Sequence, residues 1–68
     1  MPNTANGVYA KTLTILEDQM QHEFLAYRKA EVYAQTFENP TLRELACTVS
    51  RAHKQRFDRL FNYLSSHA

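Results

Sequence analysis

Two residues of types that bind metals and exchange protons occupy apolar positions in this sequence. Glu23 lies in the segment MQHEFLAY, where the spacing of the apolar residues calls for a hydrophobic side chain. His53 holds an equivalent position in the second half of the chain. A carboxylate and an imidazole can neutralise each other as a buried hydrogen-bonded pair, and both are common metal ligands in helical bundles. The sequence therefore poses a choice between a structural pair and a metal site.

Two amphipathic helices are predicted to carry these residues. Apolar or small side chains recur at alternating spacings of four and three along two segments, without an internal Gly or Pro. In the first segment they are Tyr9, Leu13, Leu16, Met20, Tyr27, Ala30, Ala34 and Phe37. In the second they are Leu42, Ala46, Val49, Phe57, Leu60 and Leu64. We expect helices over about 8–37 and 40–64, a flexible lead-in over 1–7 and a frayed end over 65–68.

The segment Glu38-Asn39-Pro40-Thr41 predicts the turn between the helices. Pro disfavours helix at the residue before it, and Asn39 is a good N-cap with Pro40 as the first helical residue. Thr41 and Glu44 have the spacing of a capping box, which would start the helix two residues later. We prefer Asn39 as the cap. Helices joined by so short a turn must be antiparallel neighbours.

The antiparallel hairpin brings Glu23 and His53 to nearly the same level, offset by about 3 Å along the axis. Three arrangements follow from this. In the first, which the pattern favours, His53 donates to Glu23 or to Tyr27 in a buried polar pair that fixes helix register. In the second, a dimer brings two copies of Glu23 and His53 together as a metal site. In the third, the helix is rotated and Glu23 is half exposed.

Length and composition indicate an all-α domain that needs a partner. A chain of 68 residues buries too little surface for a secure core, and the lone Cys47 cannot form an intrachain disulfide. We expect a homodimer in which two antiparallel hairpins form a four-helix bundle. The predicted interface residues are Leu16, Met20, Phe24, Tyr27, Val49, Phe57 and Leu60.

Several other residues receive structural interpretations. We expect Cys47 to be a small buried residue beside the apolar stripe. Tyr27 and Tyr33 are expected in the core or interface, and His22 in solvent. The basic residues of the second helix are predicted to form its solvated outer face, with some cross-helix pairing: Arg51, Lys54, Arg56 and Arg59.

Part of the chain, about residues 13–64, resembles one half of a ferritin-like four-helix bundle. The resemblance is closest to rubrerythrin-type proteins and small spore coat F-like proteins. It rests on these motifs: Glu23-x-x-Ala26-Tyr27, Tyr33-Ala34, Asn39-Pro40-x-Leu42-Arg43-Glu44-Leu45, Val49 and His53. In that family the first helix supplies a Glu, which Glu23 matches, and the second supplies Glu-x-x-His.

The second family motif is incomplete here. Aligned from Asn39-Pro40, His53 falls on the Glu of the motif and Arg56 on its His; shifted by one turn, Ser50 replaces the Glu. A bridging carboxylate is missing in both alignments. The resemblance therefore implies the spore coat F-like proteins and a structural role in an endospore coat, rather than di-iron oxidase or peroxidase activity.

Three functions from different classes remain open at this point. We expect a non-enzymatic structural or assembly protein, without a cofactor, in the cytoplasm or the spore coat. The second candidate is a ferritin-like protein that binds iron, manganese or zinc, including a reduced oxidoreductase. The third is an adaptor whose hairpin docks on another protein's helices. The net charge of +1 predicts no nucleic-acid partner, and the absence of long apolar runs predicts no membrane span and no secretory signal.

Overall fold

The computed structural model describes the backbone of residues 4–66, the exposure of Gly7 and the side chains of residues 9–66. Helix α1 spans Thr4–Thr36 and helix α2 spans Pro40–Ser66. The two lie side by side and antiparallel in a hairpin about 59 Å long and 17 Å wide. The predicted all-α hairpin is confirmed, and no strand occurs within the described residues.

The helix boundaries differ from those predicted in sequence. Helix α1 begins at Thr4, four residues before the predicted start, and α2 continues to Ser66. Thus residues 4–7 of the predicted lead-in and 65–66 of the predicted frayed end are helical, while 1–3 and 67–68 lie outside the described residues. Gly7 lowers helix propensity by only about 1 kcal/mol, which an already formed helix tolerates.

The turn is built as its sequence predicts. The side-chain Oδ1 of Asn39 accepts hydrogen bonds from the backbone N–H groups of Thr41 (2.9 Å) and Leu42 (3.1 Å), which makes Asn39 the N-cap of α2. Arg43, in the first turn of α2, donates from Nε to the carbonyl oxygen of Ala34 at 3.3 Å. That carbonyl belongs to the last turn of α1, where intrahelical partners are missing. Side chains of this short connection therefore bond backbone groups at both helix ends.

The seam between the helices is narrow and contains small or polar side chains. Among the described residues only Ala30 and Ala46 are buried apolar residues, and Glu23 and Ser50 are the buried polar ones. The short side chains allow close approach of the helices, and Ser50 Oγ donates to the carbonyl oxygen of Tyr27 at 3.4 Å. Large apolar side chains lie at the edges of the seam instead of inside it.

Replacing the N-cap tests the importance of the turn. We expect Asn39→Ala to lower the free energy of unfolding by about 1 kcal/mol, because two N–H groups of α2 lose their acceptor. Urea unfolding followed by circular dichroism, at fixed protein concentration, measures the change. The control is Asn62→Ala, since Asn62 is exposed within α2. An equal loss in both variants would contradict a specific capping role.

Candidate functional site

Glu23 is the most buried charged residue described, with 4% of its surface exposed. Each of its carboxylate oxygens has a donor. Oε1 accepts from Nε2 of Gln19 at 3.1 Å, and Oε2 accepts from Nδ1 of His53 at 2.7 Å. The carboxylate thus lies in the seam with hydrogen bonds from its own helix and from α2. This is the first of the three arrangements considered in sequence.

The contact between Glu23 and His53 fixes the tautomer of the imidazole. A carboxylate only accepts, so Nδ1 of His53 must carry the proton in this 2.7 Å contact. Nε2 is then the ring nitrogen left for any further ligand. The side chain of His53 is 21% exposed, so the ring reaches from the seam toward the surface.

Arg56 adds a positive charge to the pair. Its Nη1 lies 3.9 Å from Oε2 of Glu23 and 3.4 Å from Nδ1 of His53. Since Nδ1 already donates to Glu23, the proximity of Arg56 to that nitrogen is not a hydrogen bond, and the attraction of the guanidinium is to the carboxylate. The side chain of Arg56 is 54% exposed, so it stays on the solvated face of α2 and pairs across the helices from there. One turn separates His53 from Arg56, and that spacing places both on one flank of α2.

These neighbours control the protonation of the carboxylate. The hydrogen bond from His53 lowers the pKa of Glu23 below its ordinary value, and the charges of His53, Arg56 and His22 act in the same direction. Burial of Glu23 raises the pKa and opposes them, but the lowering effects prevail. Glu23 is therefore kept ionised by neighbours that donate to its carboxylate or attract its negative charge.

A metal ion would find few ligands within one hairpin. In residues 4–66 no group of three or more His, Cys, Asp or Glu side chains is placed to hold an ion. Glu23 and His53 are together, but the proton on Nδ1 occupies the space between them. A metal would bind through Nε2, with Glu23 orienting the ring from behind, or would displace that proton. Either way, Glu23 and His53 are the two ligands that the described part of one hairpin brings together.

The predicted interface residues do not all lie on one surface. Five of them are half-buried along the seam: Leu16, Met20, Tyr27, Phe57 and Leu60. Phe24 and Val49 are more exposed, at 43% and 39%. Phe24 packs on Phe57 on one side of the hairpin, whereas the seven-residue spacing from Val49 to Arg56 places Val49 on the other side. One flat partner surface can cover Phe24 or Val49, but not both.

The structure corrects the expected position of one residue, Cys47, and adds a partner of Glu23, Gln19, that the sequence reading did not identify. Cys47 is exposed, which corrects the prediction of a buried thiol; Ala46 takes the seam position, and the next residue is rotated by about 100° away from it. Gln19 was not identified from sequence as a partner of Glu23. The four-residue spacing of Gln19 and Glu23 on one helix is the signal that could have revealed it.

Comparison with known proteins adds no family assignment. The chain matches no protein-family model, and no curated protein or solved structure shows a significant match to it. The likeness to ferritin-like and spore coat F-like proteins therefore stays a prediction. Within the described residues, neither helix has a stretch long and apolar enough to cross a membrane.

Removing the charge of Glu23 should change how stability depends on pH. A group whose pKa is lower folded than unfolded stabilises the fold above its unfolded pKa, about 4.3 for Glu. That stabilisation is lost as the pH falls through the lower folded value. We expect Glu23→Gln to be less stable than the wild type at pH 7, and this difference to shrink toward pH 3. Urea unfolding across this pH range measures it.

Glu17→Gln is the matched control for this experiment, because Glu17 is an exposed carboxylate on the same helix. Its stability curve should run parallel to that of the wild type. A constant difference between Glu23→Gln and the wild type from pH 3 to pH 7 would show that the charge of Glu23 does not stabilise the hairpin.

Proposed function

We propose that this protein is a non-enzymatic structural or assembly protein that acts as a homodimeric helical bundle, like the spore coat F-like proteins it resembles. In this proposal the hairpin is one half of a four-helix bundle, and Glu23 and His53 form a polar pair that sets the register of the helices. The spore coat is the setting that the resemblance implies. The support comes from the surface that the hairpin leaves exposed and from the hydrogen bonds at Glu23.

The exposed surface area is the observation that carries the proposal. The chain exposes 5598 Å² of solvent-accessible surface, whereas a compact monomer of 7.9 kDa exposes roughly 4,400 Å². The excess is about 1,200 Å², and a stable protein interface buries about 800 Å² per partner. A second hairpin would cover an area of this size.

The surface that a partner could cover contains many large apolar side chains. Leu45 is 58% exposed, Leu42 45% and Val49 39%, all on α2. Two alanines are the only buried apolar residues in the described part of the chain, so the hairpin has no large buried side chain to stabilise it alone. Packing of the exposed side chains against another helical surface would supply that missing core.

One side of the hairpin suits this role, and we call it the pair face. It is defined by two rows with seven-residue spacing: Thr12, Gln19, Ala26 and Tyr33 of α1, and Leu42, Val49, Arg56 and Tyr63 of α2. One residue from each row, Gln19 and Arg56, lines a single shallow groove, which places the rows on one side at this level; the groove is completed by Glu23, Arg59 and Leu60.

The charged contacts on the opposite side of the hairpin lie nearer the surface. There Lys54 pairs with Asp58 at 2.8 Å, and Tyr27 donates to Glu31 at 3.2 Å. Surface pairs of this kind are well solvated and contribute little to stability. The charges of the pair face that contact one another are those of Glu23, His53 and Arg56. We therefore propose the pair face as the dimer interface.

The hydrogen bonds at Glu23 favour a structural role over catalysis. A general base must lie within hydrogen-bond reach of the proton that it takes from a substrate, whereas Glu23 is 4% exposed. Here both oxygens of Glu23 already accept from side chains of the hairpin. Such a satisfied buried pair fixes the relative position of two helices, because sliding either helix would break it.

The mass in solution tests the dimer. We expect light scattering after size-exclusion chromatography to give twice the 7.9 kDa chain mass. Val49→Lys should raise the dimer dissociation constant at least about 100-fold, because an unpaired ammonium group in an interface costs several kcal/mol and Arg56 on the same face adds repulsion. Sedimentation over a range of concentrations measures the constant.

Leu25→Lys is the control for Val49→Lys. Leu25 is 68% exposed, and its helical position places it on the side of α1 that faces away from α2. It should dimerise like the wild type. A folded monomer of the wild-type chain would contradict the proposal and would favour an adaptor that docks on helices of another protein. If both variants weakened the dimer equally, the pair face would not be the dimer interface.

A metal-binding protein is the second candidate, and one observation favours it. Glu23 and His53 are in direct contact near the middle of the hairpin, so a second copy on the pair face would bring two carboxylates and two imidazoles into one region. Four such side chains meet the ligand number of a metal site in a helical bundle.

Metal content separates the two candidates. If the second holds, protein purified without chelator contains iron, manganese or zinc in stoichiometric amount, and both Glu23→Ala and His53→Ala lose it. The exposed His22 provides the control, since His22→Ala should keep the metal. Metal-free protein whose unfolding midpoint is the same with and without EDTA would contradict metal binding.

A further inference from the structure

A cleft lies between the two helices at the open end of the hairpin, which is the end opposite the turn. Its volume is about 370 Å³, within the range of roughly 300–1,000 Å³ that is typical of small-molecule sites. Most of its walls are formed by leucines and tyrosines of both helices: Leu13, Leu16, Leu64, Tyr9 and Tyr63. We propose that this cleft binds a small amphipathic organic cation, with a quaternary ammonium head and an alkyl tail.

The leucines provide the surface for the tail. Leu13 and Leu16 come from α1, and Leu64 comes from the end of α2. An alkyl chain between these side chains leaves water on both sides, which is favourable in proportion to the apolar area covered. The three leucines alone would accept an amphiphile of any charge, so the choice of head group depends on the remaining residues of the cleft.

The charge of the cleft favours a cationic head. Among the described residues that line it, Glu17 is the one charged side chain, and it forms no ion pair with another described residue. Arg59 lies at the same level of the hairpin but lines the groove on the pair face. Since the described lining contains no Lys, Arg or His to pair with an anion, a carboxylate or phosphate head is disfavoured.

The two tyrosines favour a quaternary head over a primary amine. Tyr9 and Tyr63 bring aromatic rings to the cleft from different helices, and aromatic side chains attract alkylated ammonium groups through cation–π interactions. A quaternary nitrogen also has no N–H group, so it leaves no donor unpaired beside the single carboxylate of Glu17.

The cleft stays open to one side when a second hairpin covers the pair face. Thr12 and Tyr63 line it from the pair face, whereas Glu17 also lines a groove with Met20 and Phe24 on the opposite side. The cleft therefore extends through the seam, and the head group can reach Glu17 from the uncovered side. Binding of the cation does not depend on the proposed homodimer.

A titration of the full chain with octyltrimethylammonium, followed by amide chemical shifts in nuclear magnetic resonance spectra, tests the proposal. We expect saturable binding with shifts confined to the segments around residues 9–17 and 60–64. Octanol and octanoate carry the same tail with a neutral and a negative head. Both should bind at least about tenfold more weakly, because they lack the attraction to Glu17 and to the tyrosine rings. Octanol or octanoate binding as tightly as the cation would overturn the proposal.

Substitutions of the head-group residues test their roles. Glu17→Gln should raise the dissociation constant of octyltrimethylammonium about fivefold, the scale of an exposed ion pair, and leave that of octanol unchanged. Tyr9→Leu should raise the constant of the cation about threefold, again without an effect on octanol. Circular dichroism first establishes that each variant is helical.

Asp18→Asn is the matched control, because it removes the same charge from the adjacent exposed residue, which does not line the cleft. Its affinity for the cation should equal that of the wild type. Unchanged binding in Glu17→Gln, or equal weakening in Glu17→Gln and Asp18→Asn, would overturn the proposal. Shifts spread along the whole length of both helices would also overturn it, since they would indicate nonspecific coating of the apolar surface.

Discussion

Two helices packed side by side can bury only a narrow strip of each other, and this constraint governs the rest of the structure. In this hairpin the strip is formed by small residues and by Glu23 and Ser50, so the helices approach closely but gain little apolar burial. The large side chains remain at the edges of the seam, partly exposed. Stability must then come from what covers those edges. The proposed homodimer is the simplest answer to this shortage of core.

The narrow seam also explains the role of the polar pair formed by Glu23 and His53. A carboxylate placed in an otherwise apolar seam weakens nonspecific association, since any arrangement that leaves it without donors is strongly disfavoured. His53 and Arg56 reach the carboxylate from α2 in the observed register of the two helices, whereas Gln19 donates from its own helix. The pair thus exchanges some stability for a unique alignment, as a buried polar residue does in coiled coils.

Sequence reasoning reached the architecture but not its details, for identifiable reasons. The hairpin, the Asn39 cap and the contact of Glu23 with His53 were predictable, because apolar spacing and a short turn leave few alternatives. The start of α1 at Thr4 was missed because Gly7 signals a helix boundary that context overrides. Cys47 was misplaced because a two-helix seam is narrower than a globular core. The proximity of the Arg56 guanidinium to Glu23 depends on a side-chain rotamer, which residue spacing does not determine.

The hydrogen bonds of the turn also bear on the order in which the molecule assembles. Asn39 and Arg43 connect the end of α1 to the start of α2 through contacts between residues close in sequence. Such contacts close small loops and form within microseconds, well before two chains can meet at micromolar concentration. A short-lived hairpin would therefore form first, in a unimolecular step, and its pairing with a partner would be a later, concentration-dependent step. The turn thus separates the kinetics of folding from the kinetics of association.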